Sequence, residues 1–333
     1  MSTAAQRMEL REDILYTAEQ FVREKFRHHD PSHDWHHVHR VRQLALHIAT
    51  DPTLPHPPHP LILELGALFH DLCDSKYLPL PSTSAQSSSA YTVLQPFFDA
   101  LPPSTHELLS QHARAQVERI VDHVSWSKDA RRRKERAEAV GRGEDPREIN
   151  GGREGEQMDW EEGCVEFWCV SDADRLDAIG SIGVLRCAAF SAIKNRPLHI
   201  PPANPEGDSR PPAEQGEGYN GSCIAHFHEK LLLIRGDRLR TEKARAEAER
   251  RQAFMQSFLD ELDLEWLVGS SGEQMYRMQQ DMADVEASTR ELDQQKEGEE
   301  EPTFRFQPEM NEVEEATRGL DLQPKEDEED PTS

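Results

Sequence analysis

The sequence is short of several things, and each shortage excludes a class of protein. Its 333 residues contain five cysteines (Cys73, Cys164, Cys169, Cys187, Cys223), an odd number with no CxxC pair. Neither a disulfide framework nor a zinc ribbon is expected. No apolar run reaches the roughly 18 residues of a membrane span. The N-terminal MSTAAQRMELRED lacks the apolar core of a secretory signal. A reducing, cytoplasmic location is therefore expected, with the nucleus as the alternative. Alternating β-branched runs bounded by turns are missing, which predicts no strands. Internal repeats are missing too. Positive charge is scarce: 38 Lys and Arg face 63 Asp and Glu, a formal net charge of −25. Such a surface does not hold duplex nucleic acid by its phosphates. A small phosphate substrate remains compatible with it, because a bound metal supplies positive charge locally.

What is present is helical and unevenly charged. Apolar residues make up 36% and charged residues 30%, which predicts a core of moderate size with long polar additions. From residue 273 to 330 there are 20 acidic and 6 basic side chains, a net of −14, leaving −11 for the rest. Apolar spacing predicts helices over 8–27, 34–50 and 60–73, then 91–100 and 105–125, then one long apolar helix over 162–193. A last helical pair is expected over 223–237 and 241–266. Between them lie an exposed loop near 79–90 and a charged insertion over 128–158, helical at first and flexible after Gly141. A Pro/Gly-rich loop covers 200–222. The expectation is an all-α bundle over 1–270 with two insertions. An acidic, largely disordered tail follows from 271 to 333, with at most a helical stretch near 273–293.

Sixteen histidines are many, and His28, His29, His56 and His59 fall in polar or proline-rich turns where solvation explains them. The informative ones lie on apolar stripes. His37, Val41, Leu44 and Ile48 share one face of the second helix, so His37, rather than His36 or His39, points at the core. In LILELGALFHDLCD, His70 and Asp71 lie beside a stripe of leucines, where burial of an acid and an imidazole needs pairing or a cation. In VEFWCVSDADRLDAIGSIGVLRCAAF, Asp174 interrupts a stripe of Phe167, Val170, Ala178, Ile182 and Leu185. Asp172 also meets apolar neighbours. Arg175 offsets one of these charges, and a metal would offset another. Two inward histidines and two or three inward aspartates on three helices suit Mn²⁺, Fe²⁺, Co²⁺ or Zn²⁺ better than Ca²⁺. Helices of one bundle can place such ligands around one ion.

The order His37, His70-Asp71, Asp174 resembles the H…HD…D signature of HD-domain phosphohydrolases. HVHRV around His37 and ALFHDLCD around His70 match the family's local text. DADRLDAIGSIGVLR, HFHEKL and TEKARAEAERRQAFMQSFLDEL are similar to segments of its YpgQ/YedJ-type subgroup. The resemblance covers about residues 10–266. Ser181, where the subgroup often has Ala, and the two long insertions depart from it. Related guanosine tetraphosphate hydrolases carry their metal aspartate in an A-D-R-L context, which falls on Asp174, with Asp172 as runner-up.

The resemblance implies a divalent ion on His37, His70, Asp71 and Asp174, manganese first, with Fe²⁺, Co²⁺, Zn²⁺ or Mg²⁺ as alternatives. It implies hydrolysis of a small phosphate ester, a nucleotide foremost, by a metal-activated water. Asp71 would orient that water. Lys76, Arg175 and Lys230, with Arg40, would meet phosphate charge. His123 is a candidate general acid, and Asp74 and Asp177 are candidates beside the substrate, Asp177 also as support for the metal ligands. Trp35, Trp126 and Tyr77 are candidates for stacking a base. Two other readings follow from the same residues. One is a non-catalytic interaction protein using the acidic tail and the basic RRRKE at 131–135. The other is a two-iron oxygenase drawing extra ligands from Asp74 and His123.

Overall fold

A computed structural model describes residues 3–73, 89–200 and 220–267. The chain divides into a unit Met1–Gly272 and a unit Glu273–Ser333, and the second lies outside the described residues. So do the loop near 79–88, most of the 200–222 loop, and the helical stretch expected near 273–293. The described residues form eleven α-helices and no strand. In chain order they are α1 (Ala4–Lys25), α2 (Trp35–Ile48), α3 (Pro60–Phe69), α4 (Ala90–Ala100), α5 (Gln111–His123) and α6 (Trp126–Gly141). Then come α7 (Arg153–Gly163), α8 (Val165–Asp177), α9 (Gly180–Ile193), α10 (Cys223–Glu229) and α11 (Glu242–Leu267). No single one of them is long and apolar enough to cross a membrane.

Helix α3 organises the bundle. Its residues from Leu63 to Phe69 are all buried, and they feed two packed clusters. One gathers α1, α3, α4 and α5 around Ile14, Leu65, Phe69, Phe97 and Val117. The other gathers α2, α3, α5, α8 and α11 around Val41, Leu63, Ile120, Phe167, Leu176 and Met255. A Cβ on Gly66 would stand 3.2 Å from Ile120 Cγ2, so the glycine lets α5 lie close against α3. Glu64 is buried in the same helix. It is neutralised by Arg11 from α1 and by Arg42 from α2, which donates at 2.8 and 2.5 Å. A buried carboxylate held this way locks three helices in register.

Three helix boundaries are corrected. The helix expected over 60–73 stops at Phe69, and His70 is its C-cap. The segment 105–125 breaks into a 3-10 turn and α5, because Ser110 caps α5 by accepting the Ala113 N–H at 3.2 Å. The segment 223–237 is helical only to Glu229 and continues in 3-10 turns.

The charged insertion is not loose after Gly141. It continues through a 3-10 turn at Pro146–Glu148 into α7. Its charges satisfy one another: Arg136 of α6 donates to Glu154 at 2.7 Å and to Glu161 at 3.1 Å, and Arg132 lies 3.2 Å from Glu161. Sequence composition cannot separate such mutual pairing from solvation.

The long helix expected over 162–193 is two helices, α8 and α9, bent by 69°. Gly180 at the break has φ +74, a left-handed backbone that an L side chain strains. Gly183 sits so close that a Cβ would lie 2.3 Å from the Ala178 carbonyl oxygen. Apolar periodicity runs through the bend because both helices have buried faces. Leu185, expected on the inward stripe, is consequently 66% exposed.

Candidate metal centre

Three helix ends converge on His37. The Asp34 side chain caps α2 by accepting the His37 N–H at 3.0 Å, which fixes His37 in the first turn, buried. His70 and Asp71 follow the end of α3, and Asp174 comes from the second half of α8.

The hydrogen bonds assign the tautomers. His37 Nδ1–H donates to Asp177 Oδ2 at 2.7 Å, and His70 Nδ1–H donates to the Ala67 carbonyl at 2.8 Å. Each ring therefore keeps its proton on Nδ1 and turns Nε2 forward as a lone-pair donor. The two Nε2 atoms face each other at 3.1 Å. Asp71 Oδ2 stands 3.6 Å from His37 Nε2, and it is buried with no hydrogen-bond partner. Asp174 Oδ1 lies 3.8 Å from His37 Nε2 and 3.7 Å from His70 Nε2. Two opposed lone pairs and an orphaned buried carboxylate oxygen are repulsive together, and a cation among them removes the conflict. His37, His70 and Asp71 form the tight group, and Asp174, 24% exposed at its side chain, faces it from the cavity.

Titration follows the same contacts. Burial pushes Asp71 up, but the His37, His70 and His33 rings outweigh it and hold the carboxyl well below its usual range. For His37, burial and Arg186 push downward, and the carboxylates of Asp177 and Asp71 prevail, raising it. Burial also opposes ionisation of Asp177, yet His37, Arg40 and Arg186 bring it down to about 2.

The remaining candidates divide. Asp177 does not face the cavity but stands behind His37, so its expected place beside substrate is corrected. Arg40 grips it from one side, at 2.7 Å to Oδ1 and 3.0 Å to Oδ2. This bidentate pairing aims the Arg40 guanidinium at Asp177 instead of at a phosphate. Arg186 closes the other side, donating to Asp177 Oδ2 at 3.2 Å and to the Asp177 and Ser32 carbonyls at 3.0 and 2.6 Å.

Arg175, next to Asp174 in sequence, is carried to the opposite side of α8. There it is buried against Asp129 Oδ2 at 3.0 Å and Ser171, because consecutive residues point about 100° apart on a helix. His123 donates its Nδ1–H to the Arg119 carbonyl at 2.7 Å and packs on Trp160. It does not line the cavity, and burial lowers its pKa. Asp172 is a buried cap for α11, accepting from the Arg240 N–H and from the Thr241 N–H and hydroxyl. Trp35 lies under Arg23 and packs against the first core cluster. Lys76, Asp74 and Tyr77 lie outside the described residues.

The cavity above the cluster has a volume of about 640 Å³. Its floor is His70, Asp71 and Asp174, and Lys230 lines its wall together with Lys128, Arg131 and Arg186. Set against Asp71, Asp174 and Glu229, these four cations bring the cavity close to neutral in a chain of net charge −25, and a cation bound by the carboxylates would turn it positive. Sequence reasoning missed Arg186. Its signal was its isolation, since it is the single charged residue in GSIGVLRCAAFSAI.

No family model matches the chain. Over 231 residues it is 30% identical to the uncharacterized protein YpgQ of Bacillus subtilis, spanning 69% of this chain and 83% of that protein. Among solved structures it is similar to a protein from Lactobacillus plantarum, with a TM-score of 0.50 and 24% identity, covering 77% of this chain and 97% of that one. It is also similar to YpgQ of Bacillus subtilis solved in complex with ADP (TM-score 0.47, 24% identity, 76% and 95% covered). A third is an HD-superfamily hydrolase from Bacillus thuringiensis (TM-score 0.47, 22% identity, 78% and 99% covered).

Proposed function

This chain belongs to the YpgQ-type family of HD-domain proteins, and from that premise we propose that it is a metal-dependent phosphohydrolase acting on a small phosphate ester or anhydride, a nucleotide foremost. The observation that carries the proposal is the pair of Nδ1-anchored imidazoles aiming both Nε2 atoms at the unpartnered oxygen of Asp71. That donor set fits a first-row divalent ion, manganese first, held by His37, His70, Asp71 and Asp174. YpgQ, related to this chain by sequence, has been solved with ADP, which supports a nucleotide here.

When bound, the ion supplies Lewis-acid chemistry, lowering the pKa of a water and polarising a phosphoryl group. The chain supplies the rest. Asp71, ionised at neutral pH, accepts a hydrogen from the attacking water and fixes its direction. Asp177 keeps the His37 proton on Nδ1 and so keeps Nε2 available. Lys230, Lys128 and Arg131 on the cavity wall neutralise the phosphate oxygens as charge develops.

Metal content of the purified protein and release of phosphate or pyrophosphate from a nucleotide panel test the reading. Wild type should carry or bind a divalent ion and turn over at least one nucleotide. The His70→Ala, Asp71→Ala double variant should lose both properties. A wild type without metal affinity, or a double variant with full activity, defeats the reading.

A further inference from the structure

A second chamber of about 200 Å³ opens from the metal cavity. His33, Arg186, His226 and Lys230 line both spaces and form the neck between them. The two differ in chemistry. Beyond those shared residues, the metal cavity has Lys128 and Arg131 together with the carboxylates of Asp71, Asp174 and Glu229, whereas the second chamber has Ala178, Cys187, Phe190 and Leu231 with Arg196 and, among the described residues, no carboxylate. The second chamber sits at the 69° bend between α8 and α9, lined by Ala178 at the end of α8 and by Gly183, Arg186, Cys187 and Phe190 of α9.

Helix spacing ties the two spaces together. Arg186 and Phe190 are i, i+4 on α9 and share one face. His33 bridges them, its ring centroid 5.7 Å from that of His37 and 6.2 Å from that of Phe190. Arg196 lies 5.6 Å over the Phe190 ring and lines the same chamber, which adds a planar guanidinium beside a planar ring. Lys194 also lies 5.6 Å from the Phe190 ring, and Trp126 in the metal cavity is flanked in the same way by Arg175, Lys230 and Arg238 at 5.8, 5.9 and 5.5 Å.

We propose that this second chamber receives the base of a nucleotide substrate, with Phe190 as its stacking surface and the basic neck holding the phosphate chain toward the metal ligands. The proposal rests on the phosphohydrolase reading above. A flat, uncharged heterocycle gains from apolar contacts with a planar ring and a planar guanidinium beside them, and it gains nothing from the carboxylates that crowd the metal cavity. The arrangement makes the site bipartite: the neck and metal cavity read the phosphates, and the chamber reads what they are attached to.

Phe190 belongs to neither core cluster, so its truncation spares the fold. Phe190→Ala should raise KM about tenfold for the nucleotide that wild type turns over best, the loss expected for one base–aromatic stack. Its kcat should stay within about twofold, and so should the Ki of inorganic phosphate as a product inhibitor, since phosphate uses only the metal cavity. Phe190→Tyr should restore KM. An unchanged KM in Phe190→Ala overturns the chamber assignment, as does a parallel rise of KM and of the phosphate Ki. A wild type that hydrolyses other phosphate esters but no nucleotide also overturns the chamber assignment, whereas one that hydrolyses no phosphate ester or anhydride overturns the phosphohydrolase reading itself.

Discussion

Asp177 meets no substrate in this arrangement, yet three side chains depend on it. It holds the His37 proton on Nδ1 and neutralises Arg40 and Arg186. Asp177→Asn keeps the shape and loses the charge, so His37 is no longer committed to one tautomer. Metal affinity should fall by about 10–100-fold, read by calorimetric titration with Mn²⁺. His36→Ala, one position away but exposed, should leave it unchanged.

A pH dependence follows from His37, which titrates above its ordinary value of 6.5. In metal-free protein a raised folded pKa contributes stability that is complete below 6.5 and is lost as pH rises through the folded value. Ligation needs the neutral ring, so the rise in Tm that Mn²⁺ confers should be larger at about pH 8 than at about pH 6. Paired melts with Mn²⁺ and with chelator measure it, and an equal rise at both values contradicts the assignment.

At this scale period 3.6 separated the buried His37 from the exposed His36 and His39. It also preferred Asp174 over Asp172 for the inward face, whereas the structure buries Asp172 completely and leaves the Asp174 side chain 24% exposed. It could not show that Asp172 caps α11, because Thr241 is 69 residues away. Nor could adjacency to Asp174 tell which way Arg175 points.

Elements carry their own tests. Gly183 has no space for a Cβ against the Ala178 carbonyl, whereas at Gly180 the nearest atoms belong to the flexible Arg251 side chain, at 3.0 Å. Gly180→Ala should cost about 1–2 kcal/mol for its left-handed backbone. Gly183→Ala should cost more, because backbone must move, and it should weaken Mn²⁺ binding as well by shifting Arg186. Urea denaturation alongside metal titration separates the two effects.

Without touching the metal ligands, Glu161 of α7 gathers Arg132 and Arg136 of α6 and Arg240 before α11. Removing it strands buried guanidinium groups. Glu161→Ala should lose about 3–5 kcal/mol and expose α6 and α7 amides to hydrogen exchange. Metal affinity should hold, since none of these groups touches the centre. Existence of the helices was legible from apolar spacing, but their ends were not. The bend escaped because two buried helices in series look like one. The α6–α7 clamp escaped because charged residues that pair with each other have the composition of a solvated loop.

Over the whole molecule, electrostatics acts at two ranges. A net charge of −25 repels an anionic substrate at a distance, while the cationic wall of the metal cavity attracts it within a few ångströms. Salt weakens the first far more than the second, since the screening length falls from about 30 Å at 0.01 M to about 10 Å at 0.1 M. KM for an anionic substrate should therefore decrease over that range of salt. A steady increase would mean that the local attraction dominates even at low salt.

The left-handed glycine at the α8–α9 break has a consequence for the chain before it folds. By length and composition, Val165–Asp177 and Gly180–Ile193 together have the material of a membrane-spanning segment. Only the bend divides that stretch into two short pieces that a core can cover. As the chain leaves the ribosome, the segment that carries Asp174, Asp177 and Arg186 is therefore an aggregation hazard. A side chain at Gly180 that favours a straight helix would thus show first as lost yield, before any change in turnover.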